Sequence, residues 1–232
     1  MNKSIDHLHS LLPVGIRSRQ VQGVNKLNIH CLETDNAHTN KPLLILLHGF
    51  PELSFSWRKI MLPLSKAGYY VVAPDQRGFG RTSGWDANFD GKLKPFRMLN
   101  LVRDVIGLMK GIGHSKAAGI IGHDSGAAVA GWCSLLHPDI FQSTAIMSAP
   151  FTGMQTTANS SGTRIRKLDA KLALQDPPRK HYQQYYSTQS ANNDMLMCKQ
   201  GVHNFLRAYF HYKSADWAGN SPHPLASWNA TA

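Results

Sequence analysis

From residue 19 the chain alternates apolar and polar positions, RQVQGVNKLNIHCLE, around a glycine-containing turn. Side chains of a strand point alternately to opposite faces, so this period of two predicts a pair of antiparallel strands. The pattern then changes. KPLLILLHGFPE (41–52) is a nearly continuous apolar run that stops at glycine and proline, as expected of a strand covered on both faces in a mostly parallel sheet. FSWRKIMLPLSKAG (55–68) has helical spacing and closes on Gly68, and YYVVAPDQRGFG (69–80) is a second buried strand stopping at Pro74. MLNLVRDVIGLMKGIG (98–113) predicts a second amphipathic helix, and KAAGIIGHD (116–124) a third buried strand. GAAVAGWCSLLHP (126–138) predicts a third helix ended by Pro138, and FQSTAIMSAP (141–150) a further strand ended by Pro150. Strands alternating with helices in this way predict an α/β fold, a mostly parallel sheet with helices on both faces.

Beyond Pro150 the character shifts. FTGMQTTANSSGT (151–163) is a polar loop, and only helical patterns follow, with Asp176-Pro177-Pro178 a plausible helix start because proline is tolerated in a first turn. The expected organisation is a core over residues 1–150 and a partial helical lid over 151–232.

Composition narrows the function classes. A chain of 232 residues with 42% hydrophobic content is long enough for one core and a lid. The formal charge of +11 is spread along the chain, with a denser patch from Arg164 to Lys180; with no nucleic-acid-binding motif and no tail of five or more like charges, it reads as solvated lysines and arginines and not as a nucleic-acid surface. Cys31, Cys133 and Cys198 lie far apart without a CxxC pair, so neither a metal site nor a disulfide framework is expected, and a reducing compartment is. No apolar run reaches the roughly 20 residues of a membrane span. The start of the chain, with Asp6 among its first residues, lacks the apolar stretch of a signal peptide. The expected location is therefore cytoplasmic, and no cofactor is called for.

In such a sheet the active site forms at the carboxyl ends of the strands. Three turns fall there: HGFPE (48–52), DQRGFGRT (75–82) and GHDSG (122–126). The last has the form of a nucleophile elbow, which needs small residues two places before and two after the nucleophile. With Asp124 in that role the flanks are Gly122 and Gly126; with Ser125 they would be His123 and Ala127, and an imidazole does not suit the crowded position. Spacing therefore selects Asp124. An Asp opening a helix after a strand is also a common N-cap, so the pentapeptide alone leaves a capping role open.

The three turns, in this order and spacing, resemble the α/β-hydrolase superfamily, in particular its epoxide hydrolase branch. DPPRKHYQQYYS (176–187) resembles that branch's cap, where a Tyr-Gln pair carries an epoxide-activating phenol. The resemblance covers residues 20 to 230 or so. It implies Asp124 as nucleophile, the backbone N–H groups of Phe50 and Ser125 as oxyanion hole, and Tyr182 as the acid-donating cap tyrosine. It also implies a cis bond before Pro51, with Gly49 completing the segment. His48 and His123 are expected to orient the oxyanion loop and to pack behind the elbow, and Asp75 and Arg77 to hold a turn. Tyr182, Tyr185 and Tyr186 also share one helix face at i, i+3, i+4, so simple packing is an alternative for Tyr182.

The chemistry is consistent with those residue types. An epoxide carbon is saturated and is opened by backside displacement. A carboxylate is anionic near neutral pH and needs no base to attack, while a phenol opposite it assists the leaving oxygen. The product is an aspartyl ester, whose hydrolysis to a diol needs an oxyanion hole and a water activated by a histidine that a carboxylate orients. The resemblance places that acid and histidine after two further strands beyond the cap. This chain runs into SPHPLASWNATA with neither, and without an identifiable second cap tyrosine. The expectation is thus of an N-terminal part of an epoxide hydrolase-like protein, poorly stable and without turnover alone, with TAIM (144–147) an apolar sheet edge open to self-association. A serine esterase using Ser125, a haloalkane dehalogenase and a non-catalytic binding protein of the same fold remain as alternatives; a dehalogenase usually carries a halide-binding Trp where Ser125 stands.

Overall fold

The predicted hairpin is built from β1 (Ile16–Val24) and β2 (Leu27–Thr34), antiparallel in register from Ile16 opposite Thr34 to Val24 opposite Leu27. The turn itself is Asn25-Lys26, both at positive φ (49° and 69°), the combination that matches the twist of a two-residue hairpin. Gly23 is not in the turn. It lies inside β1, where the register shifts between Val21 and Val24, as a bulge would cause. The computed structural model describes residues 10–34, 41–153 and 161–219, the side chains of 161–166 aside.

The core continues with β3 (Leu43–Leu47), α1 (Arg58–Lys66, entered through a 3-10 turn at Ser54–Trp57), β4 (Tyr70–Pro74), α2 (Met98–Gly111), β5 (Gly119–His123), α3 (Ser125–Leu136) and β6 (Thr144–Met147). The sheet order is β1-β2-β4-β3-β5-β6, with β1, β2 and β4 antiparallel and β4, β3, β5 and β6 parallel. Every residue of β3 and β4 is buried, which is why these strands read as apolar runs instead of alternating. One face packs on α2 and α3 through Val102, Val105, Leu108, Val129 and Cys133 against Ile29, Ile45, Leu47, Val72 and Ile120. The other packs on α1 through Met61 and Trp57 against Leu32, Leu46, Val71 and Ala73. Each such aliphatic side chain removed from water contributes about 1.5–3 kcal/mol, so the two apolar clusters hold the strand ends in fixed register.

β6 differs from the other parallel strands. It pairs with β5 from Ile120 opposite Thr144 to His123 opposite Met147, yet all four of its residues are exposed, Ile146 by 38% and Met147 by 44%.

The chain divides into two compact units, Met1–Met154 and Gln155–Ala232. The second is helical: α4 (Ser161–Ala173), α5 (Tyr182–Tyr186), α6 (Ala191–Leu196) and α7 (Gly201–Tyr212). The helix expected to begin at Asp176-Pro177-Pro178 begins instead at Tyr182. A residue before proline is steered away from helical angles, and the polar Arg179 and Lys180 supply no apolar face to pack. His181 caps α5, its side chain accepting from the Gln183 N–H, and its own N–H donates to Asp169 Oδ1 at 2.7 Å. No helix among the described residues is long and apolar enough to cross a membrane.

Candidate active site

The elbow between β5 and α3 is a sharp reversal. Asp124 holds φ 52° and ψ −118°, a conformation costly for any residue with a β-carbon. The flanking glycines are demanded by contact: a Cβ on Gly122 would lie 2.2 Å from the Gly126 carbonyl oxygen, and one on Gly126 would lie 2.4 Å from the Leu47 oxygen. The turn is tied to the sheet by the Asp124 N–H donating to Met147 O at 3.1 Å.

The capping alternative for Asp124 is answered by geometry. Asp124 precedes α3 at the N-cap position but makes no side-chain capping bond. Its carboxylate turns instead to the HGFPE loop, where Oδ1 accepts from the Phe50 N–H at 3.0 Å. One carboxylate oxygen is thereby held by the loop. Ser125 is the first residue of α3, so its N–H belongs to the open end of the helix and has no intrahelical partner. The Phe50–Pro51 bond is cis.

Gly49 is pressed against Asp124: a Cβ there would lie 2.5 Å from Asp124 Cβ and 2.9 Å from Oδ1. Gly49→Ala is expected to displace the HGFPE loop by a fraction of an ångström or more and, under the function proposed below, to slow ester formation on Asp124 by about a hundredfold. Rapid-quench measurement of adduct formation, with circular dichroism to confirm the fold, checks it.

His48 is fully buried and joins two loops. Its Nδ1 lies 2.8 Å from the Gly49 oxygen, its Nε2 accepts from the Gln76 N–H at 3.1 Å, and Gln76 Nε2 donates to the His48 oxygen at 2.6 Å. Because Nε2 accepts, the proton sits on Nδ1 and is donated to Gly49. Burial lowers the His48 pKa, against an opposing hydrogen bond to Gly49. His123 Nδ1 faces Glu52 Oε2 at 3.0 Å, and the same Glu52 oxygen accepts from the Gly49 N–H at 3.3 Å. Glu52 and Gln76 have no role that the loop motifs predict. Their positions inside HGFPE and DQRGFGRT were the available signal.

Asp75 and Arg77 anchor the second loop. Asp75 Oδ1 accepts from the Ser54 N–H at 2.9 Å, and Oδ2 faces His30 Nδ1 at 2.8 Å and accepts from the Arg81 N–H at 3.0 Å. Burial raises the Asp75 pKa, but the bonds from His30 and the backbone outweigh it and hold it at about 2. A carboxylate depressed from 3.8 in the unfolded chain stabilises the fold by about 2 kcal/mol above that value and loses the contribution as pH falls toward 2. His48 acts in the same direction: the unfolded chain takes up a proton more readily than the folded one below pH 6.5, so acid favours unfolding. Denaturation midpoints are therefore expected to fall with acidification, and Asp75→Asn to flatten the limb below pH 4.

In the helical unit, the three neighbouring tyrosines are not equivalent. The Tyr185 hydroxyl donates to Asp194 Oδ2 at 2.9 Å. That of Tyr186 is hydrogen-bonded to Tyr209, and its pKa is raised by burial and by Tyr209. Tyr182 is 47% exposed, and its oxygen accepts from Gln183 Nε2 at 3.4 Å, a bond that leaves the phenolic proton uncommitted. Among the described residues no cluster of three or more His, Cys, Asp or Glu side chains is gathered for a metal ion.

Residues 42–223 match the model of the alpha/beta hydrolase fold family. Epoxide hydrolase B of Mycobacterium tuberculosis is 39% identical over 164 residues, which are 69% of this chain and 44% of that protein, and epoxide hydrolase A of the same organism is 35% identical over 137 residues, 59% and 40% of the two chains. The chain thus spans less than half the length of these curated relatives. Among solved structures, potato (Solanum tuberosum) epoxide hydrolase I superposes with a TM-score of 0.68 at 29% identity, covering 84% of this chain and 56% of that one. An epoxide hydrolase from an endophytic Streptomyces gives 0.68 at 28% identity, covering 86% and 54%. The chain belongs to the alpha/beta hydrolase fold family, in its epoxide hydrolase branch.

Proposed function

We propose that this protein opens small-molecule epoxides through an ester on Asp124, with water as the second substrate. The observation that carries the reading is the Asp124 carboxylate itself: presented at positive φ, free of a capping bond, with Oδ1 held by the Phe50 N–H. Oδ2 attacks one ring carbon, the carbon–oxygen bond breaks, and the ring oxygen takes the Tyr182 proton. The held Oδ1 becomes the carbonyl oxygen of the ester, and Phe50 with Ser125 supplies the oxyanion hole when that ester is hydrolysed. His48, braced by Gly49 and Gln76, keeps the loop in place; Gly122, Gly126 and Pro51 shape the turn.

Hydrolysis requires a base. Both nitrogens of His48 are engaged, so it is not that base, and in this reading the ester outlives its formation. One observation favours a second reading, in which turnover proceeds: His123 is oriented by Glu52 at 3.0 Å immediately before the nucleophile, the arrangement of a base and its orienting carboxylate. Intact-mass and peptide analysis after exposure to styrene oxide separates them. One adduct per chain on the Asp124 peptide, persisting with time, supports the first; diol accumulation abolished by His123→Gln supports the second. An adduct mapping elsewhere, or neither adduct nor diol, defeats both.

The free thiols of Cys31, Cys133 and Cys198 fit a reducing cytoplasm as the place of action. The exposed edge of β6 supports self-association in the isolated chain, which a concentration series in sedimentation velocity reads directly.

A further inference from the structure

Lys213, just past the end of α7, has no part in the chemistry described so far. Its Nζ donates to the Tyr209 oxygen at 2.6 Å and stands 5.4 Å from the centre of the Tyr182 ring. The same ring is fixed on other sides: His181 stacks on it with centroids 4.7 Å apart, and Tyr186 meets it edge-on at 5.8 Å. No carboxylate pairs with Lys213 among the described residues. Among the described residues its positive charge is therefore offset by aromatic neighbours alone.

Resting on the reading of Tyr182 as acid donor, we propose that Lys213 is the positioning residue of that acid, fixing the Tyr182 ring and stabilising the negative charge it gathers as its proton leaves. During ring opening an Asp124 oxygen forms a bond to the epoxide carbon, the ring carbon–oxygen bond breaks, and its electron pair stays on the ring oxygen, which takes the Tyr182 proton. Tyr182 is left as phenolate until solvent returns a proton. A cation within about 6 Å of a ring face is attracted to its electrons, and the attraction grows as the ring gains charge. Lys213 thus favours the state after proton transfer over the state before it, and an interaction of that kind raises the rate of the step. The Tyr209 hydroxyl holds the ammonium where it acts, which ties α7 to α5 through the chemistry as well as through packing.

The test is the rate of ester formation with styrene oxide in the intact chain, read by rapid quench and mass spectrometry. Lys213→Met is expected to slow the step by about 3- to 30-fold, the range of a cation–aromatic contact, and Lys213→Arg to restore it. Lys213→Gln, which still donates to Tyr209 but is neutral, is expected to behave as Lys213→Met and serves if the latter does not fold. In a Tyr182→Phe background the Lys213 substitutions are expected to have no further effect. If Tyr182→Phe slows the step and Lys213→Met and Lys213→Gln do not, the role of Lys213 is wrong while that of Tyr182 stands. If they slow the Tyr182→Phe protein as much as the wild type, Lys213 is only structural. If Tyr182→Phe, or the absence of any ester in the wild type, shows that Tyr182 donates no proton, the inference falls with the reading beneath it.

Discussion

Under the proposed function, Asp124→Asn is expected to abolish ester formation with styrene oxide, a loss of about a thousandfold or more. The substitution is nearly isosteric, and an amide oxygen in place of Oδ1 accepts from the Phe50 N–H as the carboxylate does at 3.0 Å. The elbow is thus expected to keep its shape, held by Gly122 and Gly126, whose close approaches to neighbouring backbone are unchanged. What is lost is the anionic oxygen. An amide does not displace a ring oxygen from a saturated carbon. Peptide mapping after quenching, beside a circular dichroism spectrum matching the wild type, provides the check. Labelling of the Asn variant at the wild-type rate places the nucleophile elsewhere, with Ser125 the first position to examine.

Arg77→Met destabilises the first unit by about 3–5 kcal/mol, as removing one partner of a buried ion pair does. Arg77 Nε and Nη2 donate to the two Asp104 oxygens at 2.7 and 2.8 Å, and the two side chains are only 5% and 8% exposed. Asn25 Nδ2 donates to the same carboxylate at 2.6 Å, so the pair fastens the β1–β2 turn and the loop after β4 to α2. Removing the guanidinium leaves Asp104 buried with one small donor. For a unit of this size the midpoint of thermal unfolding is expected to drop by about 10–15 °C. Arg77→Met combined with Asp104→Leu is expected to recover most of the loss, because the cost lies in the stranded charge more than in the missing attraction. A double variant as unstable as the single one shows that the loop conformation, not the charge, is what Arg77 maintains.

The contrast between these two positions explains what could be read early. Asp124 was legible because an elbow imposes a local rule: small residues must stand two places either side of the nucleophile, and only one register of GHDSG satisfies it. The strands were legible for a similar reason, since five consecutive buried residues in β3 and in β4 leave an unbroken apolar signature. Arg77 was expected to hold a turn, but its partner is 27 residues away along the chain, and nothing in the spacing of DQRGFGRT names Asp104. The role of Glu52 is hidden in the same way: its contacts to His123 and to the Gly49 N–H join two loops that are brought together only when β3 and β5 pair. The helix start at Tyr182 was misplaced because the proline rule states where a helix is permitted, whereas its true beginning is set by the His181 cap and the Asp169 bond.

The sequence by itself determined the alternation of strands and helices, the glycine-flanked register of the elbow, and hence which carboxylate is presented, because each depends on neighbours within a few residues. Tertiary structure alone decided that Asp124 leaves its own helix uncapped to accept from Phe50, and that Lys213 is brought over Tyr182. Those contacts join segments that are distant in the chain. They are fixed by how the sheet and the helices pack, a cooperative outcome that no local pattern encodes.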